Sequence, residues 1–195
     1  MTKAQQKQQL RNAIHTAAST ISEAERSRSS AAICAHLKAM QEYQDAETVF
    51  CFVGTGTEIR TDPLLSDALK QGKRLCVPLC TDEQRMELRQ IFSLGELLPG
   101  QYGIPEPPRS APAISVDDVD FAVIPCMTCS RAGARLGHGG GYYDRFLSTY
   151  RSAAVVVCPE KLLREELPVE PHDIPIHWVV SERGLYEDGI PAKIE

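Results

Sequence analysis

No apolar run in these 195 residues approaches the roughly 18 uninterrupted residues of a membrane span, and the polar start Met1–Arg11 has no stretch resembling a signal-peptide core. A cytoplasmic protein without membrane contact is the expectation. Excess positive charge is missing too. With 21 Lys and Arg against 26 Asp and Glu, the net charge is −5, so the clustered basic face that nucleic acid demands is not expected, and anionic ligands must be held by a local site. Internal repeats and low-complexity segments are absent. What is present, 43% hydrophobic and 24% charged residues, is ordinary for one folded domain spanning 1–195.

The two common nucleotide motifs are also lacking. The run Gly133-Ala-Arg-Leu-Gly-His-Gly-Gly-Gly-Tyr-Tyr-Asp-Arg145 has no Lys-Ser or Lys-Thr after its last glycine, and Tyr142 sits where a dinucleotide fingerprint needs its third glycine. The run still has the ingredients of a phosphate site. Gly137, Gly139, Gly140 and Gly141 allow positive φ and close backbone approach, and Tyr142 opens a predicted helix whose N-terminus favours an oxyanion. Arg135 and His138 add donors, and Asp144 adds the hard oxygen that a Mg²⁺ ion shared with phosphates requires.

Hydrophobic periodicity and punctuation predict an alternating chain. Thr2 with Gln5 and Ser22 with Glu25 have capping-box spacing for two N-terminal helices, with Leu10, Ile14 and Ala17, then Ile33, Leu37 and Met40, at helical intervals. Lys7 and Arg11 lie one turn apart on the first helix and share a face. Strands are predicted at 48–53, 74–79, 86–92, 121–125, 153–158 and 176–180, with helices entered at Asp62-Pro63 and over 142–150. The Pro-rich stretch 98–112 is expected to be a long, semi-rigid surface loop. The fold class is α/β: a three-layer α/β/α sandwich with a mostly parallel sheet and two N-terminal helices, its site beyond the carboxyl ends of the strands.

Seven cysteines, at positions 34, 51, 76, 80, 126, 129 and 158, fit buried thiols in a reducing compartment. Cys126-x-x-Cys129 leaves a redox pair or half a zinc site open, although no second Cys/His pair of matching spacing accompanies it.

The string Arg135–Asp144 resembles the signature Arg-Leu-Gly-x-Gly-x-Gly-Tyr-Tyr-Asp of the 5-formyltetrahydrofolate cyclo-ligases, also called 5,10-methenyltetrahydrofolate synthetases. The resemblance extends to Lys7-x-x-Leu-Arg11, Glu58, Ile104-Pro-Glu-Pro107 and Leu167-Pro-Val-Glu-Pro-His-Asp173, and so runs in order over nearly the whole chain. It implies ATP-dependent closure of 5-formyltetrahydrofolate to 5,10-methenyltetrahydrofolate, with phosphorylation of the formyl oxygen before N10 attacks. By the same resemblance, Lys7, Arg11 and the loop Arg135, Leu136, Gly137, His138, Gly139, Gly140, Gly141, Tyr142 and Tyr143 hold ATP, with Arg135 and Tyr142 in catalytic roles. Asp144 and Asp173 take the Mg²⁺ positions, and Val53, Glu58, His138 and Tyr142 meet the folate. Small molecules are the implied partners of a monomer or small homo-oligomer.

One segment departs from the pattern. Where the family has Pro-Gly-x-Ala-Phe-Asp, this chain reads Pro125-Cys-Met-Thr-Cys-Ser130, which removes a carboxylate near Arg135. A non-catalytic nucleotide- or folate-binding member of the same fold, or a family enzyme with another substrate, therefore stays open beside the cyclo-ligase reading.

Overall fold

A computed structural model describes residues 1–81, 85–100 and 103–194. Helix α1 (Lys3–Ser19) begins at a complete capping box: the Thr2 hydroxyl accepts from the Gln5 N–H at 3.2 Å, and the Gln5 carboxamide oxygen accepts from the Thr2 N–H at 2.9 Å. Helix α2 (Glu23–Ala39) has half of that device. Ser22 accepts from the Glu25 N–H, but the Glu25 carboxylate pairs with Lys161 at 3.4 Å instead of returning to Ser22. A short α3 (Gln41–Asp45) leads into β1 (Thr48–Cys51), and α4 (Asp62–Lys70), with proline in its first turn, precedes β2 (Arg74–Cys80).

The chain continues through β3 (Met86–Ile91), β4 (Leu98–Pro99), β5 (Pro105–Glu106), β6 (Ala113–Ile114) and β7 (Phe121–Ile124). A small hairpin follows, β8 (Thr128–Cys129) and β9 (Arg135–Leu136), then α5 (Tyr142–Thr149), β10 (Ala153–Val157), β11 (Trp178–Ser181), β12 (Gly184–Glu187) and β13 (Ile190–Ala192). The main sheet runs β13-β12-β11-β10-β7-β1-β2-β3-β6. Its five central strands, β11 to β2, are parallel, and each side carries two antiparallel strands.

Side-chain alternation along the central strands sorts the layers. In β1, Val49 and Cys51 pack with Ile33 and Leu37 of α2, Tyr43 of α3, and Leu64 and Leu65 of α4. Phe50, on the opposite face, packs with Ala18 of α1 and with Phe146 and Leu147 of α5. Helices thus cover both faces, the expected three-layer α/β/α arrangement.

Three expectations change. The last strand starts at Trp178 rather than Ile176, because the Ile176 N–H is taken by the turn of the β8–β9 hairpin, donating to the Gly133 carbonyl at 3.1 Å. Stretch 98–112 is not free of strands, since β4 pairs with β5; residues 101 and 102 of that expected loop lie outside the described residues. The β12–β13 hairpin adds an edge the sequence reading lacked. Its signal was Asp188-Gly189, whose left-handed φ values of 47° and 87° suit a tight hairpin turn.

Candidate active site

The carboxyl ends of β1, β7 and β10 open onto a pocket. Phe52 and Glu58 line it after β1, Pro125, Cys126 and Met127 after β7, and Val157 and Pro159 at the end of β10, while Ile14 and His15 of α1 and His138 of the glycine loop form the rest of the wall. This is where an open α/β sheet collects ligands. Glu58 is half-buried. Its carboxylate accepts from the Thr55 N–H at 3.0 Å, and burial, outweighing that bond and the nearby His138, pushes it above the usual carboxylate range.

The glycine run leads into the start of α5, and two arginines donate to its carbonyls. Arg11 donates from Nε to the Gly137 carbonyl at 2.9 Å, and Arg145 donates from Nη2 to the Gly140 carbonyl at 2.9 Å. Arg135, on β9, is almost wholly enclosed, its side chain 4% exposed, and donates from Nη2 to Asp144 Oδ1 at 2.5 Å. Its Nε is buried with no hydrogen-bond partner. A buried guanidinium N–H left unmatched is costly, so such a donor can take an acceptor from outside the chain.

Left-handed backbone is confined to Gly139 (φ 99°) and Gly141 (φ 69°) within the loop itself; Gly137 and Gly140 take ordinary φ, contrary to the expectation for all four. At Gly139 the left-handed backbone is what favours glycine, since a side chain there would stand 3.4 Å from the flexible end of Arg11, an ordinary contact.

Lys7 and Arg11 do share a face of α1, but they grip different segments. Lys7 Nζ donates to Glu170 at 2.8 Å and to both oxygens of Asp173. Burial works against the Lys7 charge, and the Asp173 and Glu170 bonds overcome it and hold its pKa above the usual value; the same contact, against burial, holds Asp173 below its usual value. Both carboxylates assigned to Mg²⁺ therefore stand beside cations, Asp144 with Arg135 and Asp173 with Lys7. Tyr142 is half-buried with the Arg145 guanidinium 5.4 Å from its ring centre, whereas Tyr143 turns inward onto Phe50 at 6.4 Å. Leu136 is buried under the loop. Val53 lies in the core among α2 and α4 residues, and Phe52 is the neighbour that lines the pocket.

A model of the 5-formyltetrahydrofolate cyclo-ligase family matches residues 3–182, a span that includes every residue of the pocket and loop just described. The chain belongs to this family. A 5-formyltetrahydrofolate cyclo-ligase of Mycolicibacterium smegmatis is 29% identical, over 92% of this chain and 95% of that protein. One of Escherichia coli K12 is 30% identical, over 73% and 81%. The NMR structure of Aquifex aeolicus 5,10-methenyltetrahydrofolate synthetase superposes with a TM-score of 0.83 at 29% identity, covering 100% of this chain and 97% of that one.

Within the cyclo-ligase family pattern, the departure at Cys126–Ser130 has a local structural answer. Ser130 is buried in the β8–β9 turn, where its Oγ accepts from the Ala134 N–H at 3.2 Å, and the carboxylate beside Arg135 is that of Asp144, itself part of the signature. Hydrogen bonds from the Cys129 and Cys158 thiols, together with the Arg135 and His138 charges, hold the Cys126 thiol well below its usual range. Sequence reasoning missed Phe52, His15, Met127 and Pro159 as pocket walls. Ile14 belonged to a stripe read as core and Phe52 to the run read as strand 48–53, and the other three carried no spacing or composition signal.

Proposed function

We propose that this cyclo-ligase family member converts 5-formyltetrahydrofolate to 5,10-methenyltetrahydrofolate with consumption of ATP in the presence of Mg²⁺. The observation that carries the reading is Arg135, buried, charge-paired on one side by Asp144, and with its Nε donor free beside the glycine loop. A formamide carbonyl is a poor electrophile and its oxygen a poor leaving group, so activation by phosphoryl transfer supplies what the ring closure lacks. The formyl oxygen attacks the γ-phosphorus, ADP departs, N10 adds to the formyl carbon and gives up its proton to solvent, and the carbon–oxygen bond breaks with phosphate as leaving group.

The chain's own residues position these groups and offset charge, as phosphoryl transfer requires. Arg135 meets the negative charge on the transferred phosphoryl group from a site where water is excluded and the guanidinium cannot reorient. Arg11 braces the Gly137–Gly139 turn against which the phosphates lie, and His138 stands at the junction of loop and pocket. Glu58 accepts from pterin N–H groups inside the pocket, with Phe52 and Met127 as apolar walls. Tyr142, fixed beneath Arg145, flanks the loop.

Asp144 and Asp173 suit Mg²⁺ by donor type, since this ion takes one or two carboxylates and fills the rest of its shell from phosphates and water. Bound there, it would neutralise phosphate charge. Mixing the reduced chain with 5-formyltetrahydrofolate, Mg²⁺ and ATP tests the proposal through the methenyltetrahydrofolate absorbance band. A rise only when ATP is present is expected; no rise from folded protein would favour a binding role or another substrate.

A further inference from the structure

Three thiols converge behind the pocket, each delivered by a different strand end. Cys126 follows β7, Cys129 ends β8 and Cys158 follows β10, and their Sγ atoms all lie within 4.8 Å of one another. Two of them, Cys126 and Cys129, occupy positions where the family pattern has glycine and phenylalanine, so the cluster belongs to this chain rather than to the shared signature. All three thiols are free.

We propose that Cys126, Cys129 and Cys158 form a three-thiolate site for a single thiophilic d¹⁰ ion of the Zn²⁺ type. An ion about 2.3 Å from each of three thiolates sets their sulfurs about 4 Å apart, a spacing this trio reaches with side-chain adjustments alone. Thiolates select soft or borderline ions over Mg²⁺. Disulfide formation would use two of the sulfurs and strand the third, whereas one ion satisfies all of them. The backbone around the trio is held in place: the Cys158 N–H donates to the Val180 carbonyl at 3.1 Å and the Cys129 carbonyl accepts from the Arg164 N–H at 3.1 Å. Cys129 and Cys158 are fully buried, and Cys126 is half-buried and lines the pocket, so an ion enters and keeps its open position on the Cys126 side. Such an ion ties the β8–β9 hairpin, which presents Arg135, to the end of β10.

The site is independent of the cyclo-ligase reading, and its test uses no turnover. The reduced, metal-free chain is titrated anaerobically with Co²⁺, read by the thiolate-to-cobalt charge-transfer band, then with Zn²⁺ to displace it. One Co²⁺ per chain is expected, displaced by Zn²⁺, with binding weakened at least about tenfold in Cys126→Ser and unchanged in Cys80→Ser, whose half-exposed thiol lies outside the trio. Zn²⁺ should also raise the melting temperature of the parent chain and not that of Cys126→Ser. Because Cys126 is half-buried, its serine variant is the one best able to fold; Cys129→Ser and Cys158→Ser, where folded, should lose the band as well. No charge-transfer band in the parent, or the same band and affinity in Cys126→Ser, overturns the site.

Discussion

Lys7 and Asp173, 166 positions apart, meet in an ion pair in which Lys7 Nζ donates to both carboxylate oxygens, at 2.9 and 2.7 Å. The pair fastens the first helix to the Pro171–Asp173 loop, and with Arg11 on the glycine turn it makes α1 a brace across two segments of the site. Helix propensity alone would not place α1 here; these contacts and the packing of Ile14 and Ala18 do.

Lys7→Met should therefore destabilise the fold by about 2 kcal/mol, below the about 3–5 kcal/mol of a fully buried pair because Glu170 remains 32% exposed. A denaturant midpoint unchanged from the parent would remove Lys7 from the brace.

The pair also sets a pH window. Asp173 is depressed in the folded state, so its contribution is present above the unfolded carboxylate value of about 3.9 and is lost as pH falls through the lower folded value. Lys7 is raised, so its contribution is full below the unfolded lysine value of about 10.4 and is lost as pH rises through the higher folded value. Urea denaturation of the parent and Asp173→Asn should differ at neutral pH and converge in acid. A difference that is constant with pH would mean the carboxylate charge is not what Asp173 contributes.

Arg135→Ala should lower kcat by about 10²–10³, the scale for removing one preorganised donor to developing charge. Its cost in stability should be smaller, since the Asp144 carboxylate left behind is 36% exposed and regains water. Equal proportional losses of melting temperature and turnover would mark Arg135 as structural. Arg135→Lys should recover charge but not the fork, and so recover only part of the rate.

Within the glycine loop, Gly139→Ala and Gly137→Ala should separate. Alanine at φ 99° costs about 1 kcal/mol or more and should raise the KM for ATP. Gly137 has ordinary φ, and its added methyl would meet Arg135 Nη1 at an unstrained 3.5 Å, so its variant should stay near parental stability. Matching behaviour of the two variants would contradict this account of the loop.

Glu58 offers a second pH effect. Burial raises its pKa, so as pH falls from neutral it takes up a proton before an ordinary glutamate does, and a folate held by its carboxylate should bind less well. The KM for 5-formyltetrahydrofolate should climb on acidification in the parent and stay flat, at a higher level, in Glu58→Gln. Parallel profiles would place the titrating group elsewhere.

Much of this was legible in the residues. The apolar runs at β1, β7 and β10 announced buried parallel strands, and Thr2 with Gln5 marked the first helix to the residue, because both signals are local. Local signals failed where partners are distant in sequence. Nothing at Lys7 announced Glu170 and Asp173, nothing at Cys126 and Cys129 announced Cys158, and nothing in the apolar run 48–53 announced that Phe52 rather than Val53 lines the pocket. The Cys126-x-x-Cys129 spacing is incomplete by itself, since the third thiol beside it, Cys158, follows β10.

The central claim is that ring closure proceeds by phosphorylation of the formyl oxygen at the Arg135 loop. Heavy-oxygen label placed in the formyl group of 5-formyltetrahydrofolate tests it in one turnover, by mass analysis of the released phosphate. Label recovered in phosphate, in amounts matching the methenyltetrahydrofolate formed, is the predicted result; unlabelled phosphate with label in water would contradict it.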